Sequence, residues 1–181
     1  MESAEQHPAV PDGYDRLWTP HRMAYIDGEN KPPDDGAGPG CPFCAAPGQG
    51  DEQALVVRRG ETCYVVLNLY PYNPGHLLIC PYRHVPDLTT MTAAERAEMT
   101  ELAAAAMRTL QQVKACDGFN LGMNAGAVAG AGVAGHVHQH VVPRWGGDSN
   151  FLPIVGHARA LPELLGRTRG ELASGWVDGS R

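Results

Sequence analysis

The chain has 181 residues, with 14 Lys and Arg against 20 Asp and Glu and a formal net charge of -6 when histidine is neutral. That length suits a single domain with one hydrophobic core, and the acidic balance excludes a broad basic surface for a nucleic acid polymer. No apolar run is long enough to span a bilayer and residues 1–12 are polar, without the core of a signal peptide, so a cytoplasmic protein with no membrane partner is expected.

Residues 1–13 read as a flexible tail and residues 14–181 as the domain. Residues 14–26 are expected to form a short helix or turn that packs Leu17, Trp18, Met23 and Tyr25 on the body. Residues 27–40 are rich in Pro, Gly and Asp and read as an irregular linker. Two short apolar segments follow, 54–57 and 62–68, separated by Arg58-Arg59-Gly60-Glu61; they read as an antiparallel pair. Residues 71–75 turn the chain, and 76–80 read as a third, largely buried strand.

The clearest helix starts after Thr92. Thr92 and Glu95 have the spacing of a capping box, and Met99, Leu102, Ala103, Ala106, Leu110 and Val113 recur three and four residues apart. Gly118 is the expected left-handed terminator. Strands are expected at 119–124 and 137–142, and a C-terminal helix at 161–176, weakened by Gly166 and Gly170. Strands, one long helix and further strands make an α+β fold, most simply an antiparallel meander sheet with the long helix covering one face.

Five cysteines, an odd number without an export signal, indicate reduced thiols. Cys63, Cys80 and Cys116 lie in apolar patterns and read as buried small hydrophobes. Cys41 and Cys44 form Cys-Pro-Phe-Cys in a loop. Their spacing suits one tetrahedral zinc, which needs two more ligands, with His84 and His136 as candidates; a redox pair or two unrelated thiols would have the same spacing.

The chemistry concentrates in Gly135-His136-Val137-His138-Gln139-His140-Val141-Val142-Pro143-Arg144. On a strand, alternate side chains share a face, so His136, His138 and His140 form a row of imidazoles and Val137, Gln139 and Val141 face the other way. Such a row can bind metal, attack phosphorus or donate to an anion near neutral pH. A histidine-rich surface strand is the bland alternative. Against it stands the Gly-rich loop at 126–135, of the kind that cradles phosphates.

The run 136–142 matches the pattern His-φ-His-φ-His-φ-φ, with φ apolar, and thereby resembles the histidine triad family; Gln139 departs from it at one φ position. Residues 67–77, Pro81-Tyr82-Arg83-His84, 120–124 and 143–151 are similar to the same family. The last block, with Arg16-Leu17-Trp18-Thr19-Pro20, is similar to the actinobacterial branch that contains diadenosine tetraphosphate phosphorylases.

The resemblance implies a histidine-triad-like fold that pairs as a homodimer, with His138 as nucleophile toward the α-phosphorus and His140 as donor to the phosphate or leaving group. It implies Asn68 at the ribose and Asn124 at the phosphates. In place of the family's Ser, Thr or Gln donor before the triad, this chain offers only backbone amides, at Gly130, Ala131, Gly132 and Val133. A structural zinc on Cys41, Cys44, His84 and His136 is implied, and no organic cofactor. The implied ligand is an adenine nucleotide or dinucleoside polyphosphate. With orthophosphate as acceptor, diadenosine tetraphosphate gives ADP and ATP; with water it gives AMP and ATP. Hydrolysis of a nucleoside phosphoramidate to AMP, or a non-catalytic nucleotide-binding module, are the alternatives. His76 reads as the start of a strand, and His7, His21 and His157 as surface residues. Trp145 belongs either to a recognition loop or to a turn closed by a packed indole.

Overall fold

A computed structural model of the protein describes residues 38, 40–148 and 164–178. The expectations for the tail, the 14–26 segment, nearly all of the linker, His7, His21, His157, residues 149–151 and the first turn of the C-terminal helix lie outside the described residues. All described residues belong to one compact unit, Lys31–Arg181.

Five strands form one antiparallel sheet: β1 (Val56–Arg59), β2 (Cys63–Leu67), β3 (Leu77–Pro81), β4 (Gly118–Met123) and β5 (Gln139–Arg144). Among the described residues three α-helices accompany them: the single turn α1 (Pro42–Ala45), the long α2 (Ala93–Lys114) and the C-terminal α3 (Leu165–Ser174). The spatial order is β1-β2-β3-β5-β4. The meander holds through β3. Beyond it, β5 rather than β4 lies against β3. Burial accounts for the order, because β5 carries Val141 and Val142 into the interior while β4, with Asn120, Leu121 and Gly122 exposed, suits an edge.

Side-chain alternation sorts the sheet into two faces. Val65, Leu67, Leu77, Ile79, Val137 and Val141 meet Met99, Ala103, Ala106 and Leu110 of α2, and Leu172 of α3 joins the same core. Val56, Tyr64, Val66, Leu78 and Cys80 point to the opposite face, where Ala46, Phe43 and Tyr82 cover them. Burial of these aliphatic side chains, at roughly 25 cal/mol per Å² of apolar surface, is the main favourable contribution to the fold.

The helix boundaries follow from local chemistry. Thr92 Oγ1 accepts the Glu95 amide at 3.2 Å and Glu95 Oε2 accepts the Thr92 amide at 2.7 Å, the reciprocal cap read from the sequence. At the other end the left-handed residue is Ala115, at φ 49°, and not Gly118. Gly118 already pairs with Arg144, so the chain has to reverse before it reaches that glycine. β1 also begins later than the apolar pattern suggests, because Leu55 at φ 57° ends a turn, and Arg58 and Arg59 lie in the strand. The turn into β2 is held by Glu98, whose carboxylate accepts the amides of Glu61, Thr62 and Cys63.

All five cysteines are free thiols, with Cys63, Cys80 and Cys116 buried as expected. Among the described residues no helix is long and apolar enough to cross a membrane.

Candidate active site

The three triad histidines lie on the sheet face away from α2. The pairs Leu78 with His140 and Ile79 with Gln139 set the parity, so Val137 and Val141 enter the helix-facing core and the imidazoles do not. Ladder pairing starts only at Gln139, later than the sequence pattern indicates. The cause is Pro81, which has no N–H and whose carbonyl accepts His136 Nε2 at 2.9 Å; Val137 N donates instead to the Val85 carbonyl at 2.7 Å.

His138 is 5% exposed, and its Nδ1–H donates to the main-chain carbonyl of His136 at 2.9 Å. A neutral ring with its proton on Nδ1 has its lone pair on Nε2. Burial lowers the pKa of His138, and the bond to the His136 carbonyl opposes that shift without cancelling it. The neutral, nucleophilic form is therefore favoured near neutral pH.

His140 is reached through His76, which the sequence reading took as the start of a strand. Tyr72 N donates to His76 Nδ1 at 3.1 Å, which makes that nitrogen an acceptor and puts the proton of a neutral His76 on Nε2. His76 Nε2–H then donates to His140 Nδ1 at 2.9 Å. By the same logic His140 carries its proton on Nε2, a buried atom with no partner among the described residues. Burial, reinforced by His138, pushes the His140 pKa down to about 4. The outcome is an uncharged N–H donor beside the His138 ring, 5.1 Å away centroid to centroid. His76 is fully buried, and Tyr72 stacks on His140 and packs at a tilt against His76. The signal available in the sequence was parity, since His76, Leu78 and Cys80 alternate onto the triad's face; the pairing with His140 appears only in the fold.

Asn68 follows β2 and lies beside His76, whereas Asn124 and the Gly-rich loop follow β4 at the other end of the sheet, level with His138. Asn68 Oδ1 accepts the Tyr70 amide at 3.0 Å, and its amide nitrogen lies 3.3 Å from His76 Nδ1. Asn124 Nδ2 donates to the Gly130 carbonyl at 3.5 Å and so braces the loop. The Gly130 and Ala131 amides are used inside the loop, on Ala127 and Gly126, while those of Gly132 and Val133 donate to no group among the described residues. Gly130 stands at φ 86°, a left-handed conformation that favours glycine.

Cys41, Cys44, His84 and His136 converge, with their ligand atoms all within 4.8 Å of one another. Cys41 Sγ to His136 Nδ1 and Cys44 Sγ to His84 Nδ1 are each 3.4 Å, and Cys44 Sγ to His136 Nδ1 is 3.5 Å. Around one tetrahedral zinc, bonds of about 2.3 Å to sulfur and about 2.0 Å to nitrogen separate the two atoms by roughly 3.6 Å. The donor set and its spacing fit such an ion. His136 is set up for it, because Nε2–H is held by the Pro81 carbonyl and Nδ1 keeps its lone pair for the cluster. Burial raises the Cys41 thiol and lowers His136 to about 4, so these two donors are desolvated and uncharged in the absence of a cation.

Trp145 packs on the core and its Nε1–H donates to the Lys114 carbonyl at 3.3 Å, which favours the packed indole closing a turn. Asp148 ties that turn down, accepting Arg144 through both oxygens, the Trp145 amide and Asn73.

Comparison with known proteins agrees with this geometry. The model of the HIT domain matches residues 49–147. The chain is similar to the AP-4-A phosphorylase of Mycobacterium tuberculosis, 47% identical over 168 residues that cover 92% of this chain and 86% of that protein. It is also similar to the asymmetrical bis(5'-nucleosyl)-tetraphosphatase of Schizosaccharomyces pombe, 31% identical over 69% of this chain and 65% of that one. Among solved structures, a Zn-bound histidine triad family protein from Mycobacterium smegmatis superposes with a TM-score of 0.61 at 28% identity, covering 75% of this chain and 91% of its own.

Proposed function

The chain belongs to the histidine triad family, and from that membership we infer that it cleaves diadenosine tetraphosphate by phosphorolysis, carrying the adenylyl group on His138. The observation that supports this most is the His138 tautomer, fixed by the His136 carbonyl with the lone pair on the opposite nitrogen. Similarity over nearly the whole chain to a protein named AP-4-A phosphorylase supports the substrate and the acceptor.

In the first step the Nε2 lone pair of His138 attacks the phosphorus next to one adenosine. The bridging P–O bond breaks and ATP leaves, its departing oxygen met by the His140 Nε2–H. In the second step an oxygen of orthophosphate attacks the same phosphorus, the P–N bond breaks, ADP departs and the lone pair returns to Nε2. Asn68 is proposed to reach the ribose and Asn124, with the amides at 130–133, the phosphates. Both asparagines must then share their amides between the loop bonds described above and the ligand.

Cys41, Cys44, His84 and His136 are proposed to hold a structural zinc, whose contribution is charge and rigidity away from substrate. No organic cofactor enters the scheme. The domain is taken as residues 14–181, in the cytoplasm, and as a homodimer; the exposed β4 edge with Leu121 supports pairing of two sheets.

Incubation with diadenosine tetraphosphate, with and without orthophosphate, tests the reading. ADP and ATP formed only when phosphate is present uphold it. AMP and ATP in either condition mean that water is the acceptor, which the likeness to the asymmetrical tetraphosphatase favours. No cleavage at all leaves a nucleotide-binding module.

A further inference from the structure

Between the two cysteines of the metal-ligand cluster stands Phe43, and its ring packs on two of the triad imidazoles. The Phe43 and His138 centroids are 4.8 Å apart at 43°, and those of Phe43 and His136 are 5.6 Å apart at 70°. We propose that Phe43 is a positioning residue for His138, held by the Cys41–Cys44 turn so that the cluster sets the orientation of the attacking ring. This rests on His138 being the nucleophile.

One hydrogen bond does not fix an imidazole. The Nδ1 contact to the His136 carbonyl sets the tautomer, yet the ring can still rock about that bond unless something closes its faces. His140 meets one side edge-on and Phe43 meets the ring from the side of the metal ligands. The main chain at Phe43 is held in place. Its carbonyl accepts the hydroxyl of Tyr64, a fully buried residue of β2, at 2.7 Å. Two residues before it, Cys41 O accepts the amides of Cys44 and Ala45, which closes the turn around Phe43. The cluster therefore reaches His138 twice, through the main-chain carbonyl of its ligand His136 and through this phenyl ring. A misplacement of about 1 Å at an attacking atom can cost on the order of 100-fold in rate, so a side chain with no polar atom can still govern turnover.

The test uses the full-length protein and its Phe43→Ala, Phe43→Leu and Phe43→Tyr variants. Single-turnover formation of the phosphorus adduct on His138 is expected to slow roughly 10-fold or more in F43A. In F43L the loss should be partial, and F43Y, which keeps the ring, should restore the rate. The bound zinc per chain should match the wild type in all three, since no metal-ligating atom is altered. Imidazole nitrogen spectra without nucleotide give an independent readout, in which the His138 signals of F43A are expected to broaden or to mix tautomers while those of His76 stay sharp. Wild-type adduct rates and unchanged His138 signals in F43A overturn the proposal. An absent adduct in the wild type counts against the functional reading instead, and the nucleotide-free spectra still decide the role of Phe43.

Discussion

His138 and His136 are joined by a 2.9 Å hydrogen bond from an imidazole Nδ1–H to a main-chain carbonyl two residues back along the chain. The acceptor is backbone, so it cannot be lost by changing a side chain, and the tautomer of the proposed nucleophile is built into the course of the chain. His138→Ala is therefore expected to abolish cleavage, by a factor of at least about 10⁴, and to leave the thermal unfolding midpoint within a few degrees, because its ring has no part in the helix-facing core. Mass spectrometry of wild-type protein quenched with excess diadenosine tetraphosphate should locate the adenylyl group on His138. Turnover retained in the alanine variant would remove the assignment.

His76 acts one step behind His140. With His76→Ala, His140 Nδ1 loses its donor, and the proton can occupy Nδ1 instead of Nε2, which points the wrong lone pair at the departing oxygen. The expected result is a kcat lowered by roughly 10- to 100-fold with KM little changed. The His76→Ala, His140→Ala double variant should lose scarcely more than His140→Ala alone, because the two act as one unit. Losses that multiply fully would separate them.

The sequence made legible those features whose partners are close along the chain. The Thr92–Glu95 cap and the alternation of the triad are local patterns, and both hold in the fold, although the ladder begins only at Gln139. The four metal-type ligands were also legible, by resemblance, although they come from three separate stretches. His76 was not, because its meaning depends on a partner 64 residues away across β3 and β5. Nor was the inner place of β5, since strand order is decided by burial summed over the whole sheet. Gly118 shows the limit of residue preference. Glycine is the favoured helix terminator, yet the demand of the Gly118–Arg144 pairing put the left-handed turn on Ala115, at a cost of about 1 kcal/mol.

Metal analysis of the purified protein should find one zinc per chain. Cys41→Ala is expected to lower that figure and the unfolding midpoint together. With free metal at 100 times its Kd, binding contributes about 2.7 kcal/mol, which for a chain of this size is roughly 5–10 °C. A chelator should reproduce the shift in wild-type protein and cause no further shift in the variant. Full stability in metal-free wild-type protein would end the zinc reading without touching the role of His138.

Glu95 links pH to stability. Hydrogen bonds from the Arg83 guanidinium, helped by Thr92, hold its carboxyl at about 2 in the folded chain against 4.5 when unfolded, although burial works in the other direction. A depressed folded value means stability that is fully present above 4.5 and is lost as the pH falls toward 2. The Glu95 side chain is 4% exposed but that of Arg83 is half exposed, so solvent screening reduces the benefit to about 2 kcal/mol. Glu95→Gln should therefore unfold at lower urea than the wild type at pH 7, and the gap should narrow steadily as the pH drops from about 5 to 3. Glutamine can still accept the Thr92 amide, so a small gap independent of pH is expected to remain. Groups common to both proteins cancel in the comparison. A gap as wide at pH 3 as at pH 7 would mean that Glu95 stabilises the helix start by shape alone and that its charge contributes nothing.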